Sequence, residues 1–279
     1  MNILEFTGVI AAGSFAAGFL GALTGLGGGV VIIPLLTLGL GVDIRYAIGA
    51  SLISVIATSS GAAAAYVKEG YSNIRIGIFL EIATSMGALA GAFLASRLSV
   101  PVIGIVFGLV LLFSAYHALK PELDVPGQYR APDRLATLLK MDGSYPTAGG
   151  PVSYRVRAVP LGFGLMTGAG ILSGLLGIGS GAVKVIAMDQ AMRIPFKVST
   201  TTSNFMIGVT AAASAGVYLN RGYIDPGLAM PVMLGVLAGS VLGARFLSGA
   251  RSSVLRKIFS AVISILALEM IYNSLTGKL

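Results

Sequence analysis

Two glycine-dense stretches, Gly25-Leu26-Gly27-Gly28-Gly29 and Gly177-Ile178-Gly179-Ser180-Gly181, constrain this chain more than any other feature. Each lies between a full-length apolar segment and a half-length one, with no polar linker on either side. Glycine in a helix interior costs about 1 kcal/mol relative to alanine, so neither stretch continues a regular helix. In lipid, an interrupted backbone is tolerated only where protein buries it or where it lines a watery cavity. The two stretches therefore read as paired breaks at the centre of a membrane protein. The helix that follows each break would aim its N–H groups and positive dipole end at an anion.

Composition agrees with a polytopic membrane protein. Of 279 residues, 55% are apolar and 11% charged, against about 25% charged in a soluble domain. The net charge of +8 is no nucleic-acid footprint, because most basic residues sit at the ends of apolar segments, where a topology signal belongs. Cysteine is absent and there is one histidine, which excludes disulfides, thiolate metal sites and His-rich metal sites; no metal and no cofactor is expected. The first apolar segment lacks a basic leader and a cleavable small-residue site, so it reads as a retained span.

Shifting the chain by 152 residues aligns 17–119 with 169–271 without a gap, and 22 of the 103 pairs are identical. Chance in this composition gives roughly half as many. The identities include Gly25/Gly177, Gly27/Gly179, Gly29/Gly181, Ser51/Ser203, Thr58/Thr210, Tyr71/Tyr223, Gly87/Gly239 and Gly91/Gly243, and Arg45 falls on Lys197. The expected fold is an all-α integral membrane protein of two homologous four-segment repeats. The first, 1–119, has apolar stretches at 4–23, 30–40, 46–67, 74–97 and 101–119, the first two forming one broken element. The second, 158–279, has them at 158–176, 182–192, 197–219, 226–247 and 254–274. Between them, 120–157 is a polar, proline-rich and basic cytoplasmic linker, in which 133–141 is either plain linker or a short interfacial helix. The Gly-x-x-x-Gly pairs Gly87/Gly91 and Gly239/Gly243 let neighbouring helices approach closely.

Charge counting addresses topology. If each broken element is a hairpin returning to its own side, the repeats are inverted, with 14 basic residues inside and 4 outside, Lys184 left out. If each crosses once, the repeats are parallel and the split is 10 to 8. The positive-inside bias favours inversion, although 4–23 alone is long enough to span.

The run Gly25-Leu-Gly-Gly-Gly-Val-Val-Ile-Ile-Pro34, its glycine-rich echo after the charged loop, and the duplicated eight-segment layout resemble the TauE/SafE (sulfite exporter) family. The resemblance covers nearly the whole chain. It implies a secondary transporter moving sulfite, sulfonates or related organosulfur anions, usually outward, across a bacterial-type cytoplasmic (inner) membrane, and it is compatible with a homodimer. The second copy departs from the first, with Ser180 for the middle glycine and Ile186 in place of Pro34.

Particular residues suit an anion independently of that likeness. Gly25, Gly27, Gly28, Gly29, Gly177, Gly179, Ser180 and Gly181 would offer backbone donors. Ser51 and Thr58 in the first repeat, and the run Ser199 to Asn204 with Thr201, Thr202, Ser203 and Asn204 in the second, would offer hydroxyl and amide donors. The competing reading of each hydroxyl is a bond to its own or a neighbouring helix. Lys184, three residues past Gly181 where its repeat mate is Ile32, is the sharpest candidate, because an ammonium at membrane depth costs at least about 2.5–3.5 kcal/mol. Asp189, five residues on, would neutralise it in a purely structural role. Arg45 and Lys197 open equivalent helices, as anion attractors or as interfacial anchors. Glu81 is an intramembrane carboxylate suited to proton coupling. His117 and Glu269 occupy equivalent helix ends.

These features favour a secondary anion transporter in the lipid bilayer, with a passive anion channel or an importer of a small anion as the alternatives. An enzyme is not expected, since no nucleophile–base pair or carboxylate pair accompanies the breaks. No Gly-Lys-Ser/Thr phosphate loop is present for ATP hydrolysis.

Overall fold

The structure, a computed structural model, describes residues 2–24, 28–68, 71–119, 133–147, 150–247 and 252–278. Helices dominate it. In chain order they are α1 (Ile3–Thr24), α2 (Gly29–Pro34), α3 (Ile44–Lys68), α4 (Ile74–Ala95), α5 (Val100–Leu119), α6 (Arg134–Leu138), α7 (Val159–Leu176), α8 (Gly181–Ile186), α9 (Phe196–Asn220), α10 (Pro226–Leu247) and α11 (Ser252–Leu275). Among the described residues, four stretches are long and apolar enough to cross a bilayer: Ile74–Ala95, Val100–His117, Val159–Leu176 and Pro226–Gly243. The chain is an all-α membrane protein. Every long element lies within two residues of its apolar segment.

The elements come in matching sets. α2, α3, α4 and α5 begin 152 residues before α8, α9, α10 and α11. α2 and α8 each run on into one π-helical turn, Leu35–Gly39 and Ala187–Ala191. Pro34 precedes the first turn, but Ile186 precedes the second, so proline is not what widens the backbone.

Both broken elements fold back on themselves. In the second, the Arg157 N–H donates to the Met192 carbonyl (3.1 Å), and Gly162 lies against the Met192 side chain. The end of the half-length leg thus meets the start of α7. In the first, Gly28 lies near Gly18 and Leu35 covers Gly13.

Small residues set how the long helices cross. Gly87 abuts the Thr167 carbonyl and Gly91 that of Ile171, while Gly170 and Gly174 abut the carbonyls of Thr84 and Ala88. α4 and α7 therefore run side by side in the same direction. α1 and α10 do the same, with Gly235 against Ala11, Gly239 against Phe15 and Gly18 against Val236. α3 and α9 cross in opposite directions, since Ser59 meets Gly208 at the middle of α9 while Tyr46, near the start of α3, packs edge-on against Tyr223, just past the end of α9 (5.6 Å). α9 runs parallel to α4, with Asn73 beside Thr202 and Glu81 beside Thr210. α5 and α11 are antiparallel, with Ser260 bonded to Ala115 and Gly108 packed on Ala267.

The linker is more ordered than a plain connection. Asp133 caps α6 by accepting from the Leu135 and Ala136 N–H groups, so of the two readings of 133–141 the structure has a short helix, over Arg134–Leu138. After it, β1 (Gly143–Thr147) pairs antiparallel with β2 (Gly150–Tyr154), a hairpin that the sequence reading did not foresee. Asn73, at the start of α4, fastens this region by donating to the Met141 carbonyl (3.0 Å) and the Tyr154 hydroxyl (2.7 Å). Burial raises the pKa of Tyr154 above its ordinary value.

The glycine contacts are testable. A leucine at Gly91 must displace the Ile171 carbonyl, so Gly91→Leu is expected to destabilise the protein by about 1–3 kcal/mol. Gly168 on the same helix as Gly170 faces open space, so Gly168→Ala is expected to leave stability unchanged or raise it by roughly 0.5–1 kcal/mol. Unfolding in detergent followed by circular dichroism reads both.

Candidate functional site

The two broken elements meet at the middle of α3 and α9. Gly29 lies against the Ser51 hydroxyl and near the Gly177 carbonyl, and Val55 touches both Gly29 and Gly179. Ile207, the 152-residue counterpart of Val55, covers Gly179 and Gly181. The second turn has three residues in the left-handed region, Gly177 (φ 66°), Gly179 (φ 71°) and Ser180 (φ 48°). Glycine accepts that backbone freely, whereas Ser180 holds it at a cost of about 1 kcal/mol. The Ser180 hydroxyl is buried and has no hydrogen-bond partner among the described residues. Gly28, Gly29, Gly177, Gly179 and Gly181 are buried; Gly25 and Gly27 lie outside the described residues.

The hydroxyl candidates divide by what they bond. Ser51 donates across the interface to the Gly177 carbonyl (2.9 Å), and Ser203 donates to the Gly181 carbonyl (3.3 Å). These two counterparts hold the second turn from both sides. Thr58, Thr200 and Thr201 donate to carbonyls of their own helix turns, as membrane threonines do when they serve the helix alone. Thr202 accepts from the Asn73 N–H (3.0 Å), and Asn204 is half-buried.

Lys184 is fully buried, and its Nζ donates to Thr210 Oγ1 at 2.6 Å. Thr210 Oγ1 stands 2.7 Å from Glu81 Oε1 and 3.4 Å from Thr84 Oγ1. The Ser85 hydroxyl donates to the same Glu81 oxygen (2.8 Å). Glu81 Oε2 is buried and has no hydrogen-bond partner among the described residues. Lys184 and Glu81, singled out separately in the sequence, thus belong to one cluster bridged by Thr210. Asp189 is half-buried in the turn beyond α8.

Thr84 and Ser85 have no place among the sequence candidates, and Thr210 enters there only as the repeat mate of Thr58. A signal for Thr210 existed: Ser199, Ser203, Thr210 and Ser214 fall at helical spacing and are all within 1% of full burial, a polar stripe continuing past Asn204.

Arg45 and Lys197 occupy the two ends of the molecule. The Arg45 guanidinium lies over the Tyr223 ring (5.9 Å) and donates to the Leu98 carbonyl (3.0 Å). Lys197 Nζ lies 3.9 Å from the centre of the Tyr71 ring. These pairs are again 152-residue counterparts. Arg45 and Arg221 also come together with Ser96, Tyr218 and Tyr223 around a shallow surface depression.

A buried lysine and a buried glutamate are thus held between a broken helix and two full-length ones, a placement that is costly in a membrane. The sulfite exporter TauE/SafE family matches residues 10–270. The chain belongs to that family. Among curated proteins, it is 26% identical to the probable membrane transporter protein YunE of Bacillus subtilis, over 93% of this chain and 95% of that one. It is 26% identical to the probable membrane transporter protein YdhB of the same organism, over 92% and 97%. It is 25% identical to the probable membrane transporter protein MJ0441 of Methanocaldococcus jannaschii, over 92% of each. No solved structure matches the chain. This TauE/SafE member is a multi-pass membrane transporter.

The bridge sets an expectation for stability. Thr210→Val keeps the shape but strips Lys184 and Glu81 of their shared partner, and is expected to cost about 1–3 kcal/mol. Thr58→Val, whose hydroxyl serves its own helix, is expected to cost less than about 1 kcal/mol. Denaturant unfolding in detergent separates the two.

Proposed function

We propose that this protein is a secondary transporter that carries sulfite or a small organosulfonate out across a bacterial-type cytoplasmic membrane, with Glu81 coupling the flux to protons. The observation that carries the reading is Lys184, a fully buried ammonium beside a broken helix, bridged through Thr210 to a buried carboxylate. A cation in that setting suits an anionic cargo, and the hydroxyls and turn donors around it suit sulfonate oxygens.

The architecture supports alternating access by inverted repeats. α1 runs with α10, α10 runs against α9 across a tight turn, and α9 and α7 both run with α4, so α1 opposes α7. The close contacts recur under the same shift: Gly239 with Phe15 and Phe19 mirrors Gly87 with Thr167 and Ile171, and Gly18 with Val236 mirrors Gly170 with Thr84. Two such units, divided by the linker at 120–157, can rock against each other around a site at their interface. Burial of Lys184, Thr84 and Thr210 at 0% exposure supports a carrier caught closed rather than an open channel.

Purified protein in proteoliposomes is expected to take up labelled sulfite or isethionate, and Lys184→Ala to slow it by about tenfold to a hundredfold, the worth of one charged hydrogen bond. An unchanged rate in a folded Lys184→Ala protein removes Lys184 from the site. Absence of flux for both anions removes the sulfur-anion assignment.

A further inference from the structure

The charge balance of the buried cluster fixes the sign of coupling. Glu81 and Lys184 form a site whose formal charges cancel. The charged groups able to answer a newcomer are few. α4 carries Arg75 at its start besides Glu81, α7 has no ionisable side chain, and α8 has Lys184 alone. α9 carries Lys197 near its start and Tyr218 near its end, far along the helix from Thr210. Asp189, in the π-helical turn beyond α8, is the remaining neighbour on the broken element and is itself acidic. α5, which touches α7 and α8, carries His117 in its last turn, and α3, packed on α9, carries Arg45 at its start and Lys68 at its end. A monoanion drawn to Lys184 therefore leaves an uncompensated negative charge inside the membrane, unless a proton arrives with it.

Glu81 is arranged to hold that proton. Its Oε1 accepts from both Ser85 (2.8 Å) and Thr210 (2.7 Å), while Oε2 is buried with no partner among the described residues. Oε1 serves as acceptor for Ser85 and for Thr210, whose hydroxyl also lies 2.9 Å from the Met206 carbonyl, and Oε2 keeps its lone pairs for an arriving proton. Protonation there also turns an acceptor that repels an oxyanion into a donor that binds one. The cluster has no second edition. The 152-residue counterparts of Lys184, Thr210, Glu81 and Thr84 are Ile32, Thr58, Met233 and Val236, so the molecule offers one such site.

We propose that the anion and one proton occupy the Lys184–Thr210–Glu81 cluster together and cross in the same direction, one for one, without net charge movement. The proposal rests on the anion-transporter reading above. The step is a proton transfer alone: a proton from water on the loading side adds to a lone pair of Glu81 Oε2, Lys184 keeps its protons and pairs with the anion, and both are released on the far side. Export then requires an outward anion gradient steeper than the inward proton gradient. When it is shallower, the same protein imports.

Isethionate, a permanent monoanion, is the probe, with full-length protein in proteoliposomes carrying an internal pH dye. An outside-acid gradient is expected to concentrate labelled isethionate about tenfold per pH unit, with one proton entering per anion. A potassium–valinomycin potential is expected to have no effect. Accumulation driven by an inside-acid gradient, accumulation that follows the potential, or flux indifferent to pH overturns cotransport while leaving the transporter reading in place. No isethionate or sulfite flux in any condition overturns both. Glu81→Gln keeps an acceptor for Ser85 and Thr210 but cannot titrate, and is expected to exchange labelled for unlabelled isethionate without concentrating it. A Glu81→Gln protein that still concentrates it tenfold overturns the role of Glu81. If that variant does not fold, the proton count of the natural protein decides alone.

Discussion

A single buried ammonium organises the centre of this protein. Lys184 has no access to water, and its Nζ bonds Thr210, which in turn faces Glu81. The opposite charges come from different halves of the chain, one on the second broken element and one on α4. Removing either leaves a bare charge in a medium where hydration cannot replace it. The pair therefore ties α8, α9 and α4 together more firmly than their apolar surfaces do, because lipid is as apolar as leucine and supplies no hydrophobic drive between helices. The left-handed turn at Gly177–Ser180 puts Lys184 in this place. It reverses the chain within the membrane, and the Ser180 carbonyl accepts from the Lys184 N–H (3.0 Å) to start the returning leg.

Close approach follows from the same absence of hydrophobic drive. Helices in lipid associate through van der Waals contact, which improves as backbones come together. Gly87, Gly91, Gly170 and Gly174 bring α4 and α7 into backbone contact, and Gly18, Gly235 and Gly239 do so for α1 and α10. Each pair joins a full-length leg of a broken element from one half to a helix of the other. Each broken element is thus held by a helix from the other half of the chain, and Val55 touches both Gly29, at the start of α2, and Gly179, in the second turn.

Much of this was legible in the sequence because the bilayer imposes a simple rule: apolar runs of fixed length, interrupted only where the interruption is buried. The boundaries, the breaks and the Gly-x-x-x-Gly contacts all follow from it. Lys184 and Glu81 stood out because a charge in an apolar run has few innocent explanations. Their partnership did not, since it joins residues 103 apart in sequence through a threonine whose hydroxyl looks like any other. The β1–β2 hairpin was hidden for the opposite reason. Its strands are short, proline-bearing and polar, and they are held by Asn73 and Tyr154 rather than by a hydrophobic alternation.

The two ends of the molecule add a constraint on the transport reading. Arg45 on Tyr223 joins the start of α3 to the chain just after α9; Lys197 on Tyr71 joins the start of α9 to the chain just after α3. Both contacts are made at once, and the charged centre between them is sealed. A cation over an aromatic ring is worth about 0.5–2 kcal/mol, small enough for thermal opening. The ends are not equal, however. Arg45 also holds the Leu98 carbonyl, and Arg97 and Arg221 both lie over Phe93 at the same end (5.2 and 5.3 Å). At the other end Lys197 holds its ring beside the linker that Asn73 fastens. Different contacts must therefore part to open each end, and the charged cluster between them is likewise unmatched under the 152-residue shift.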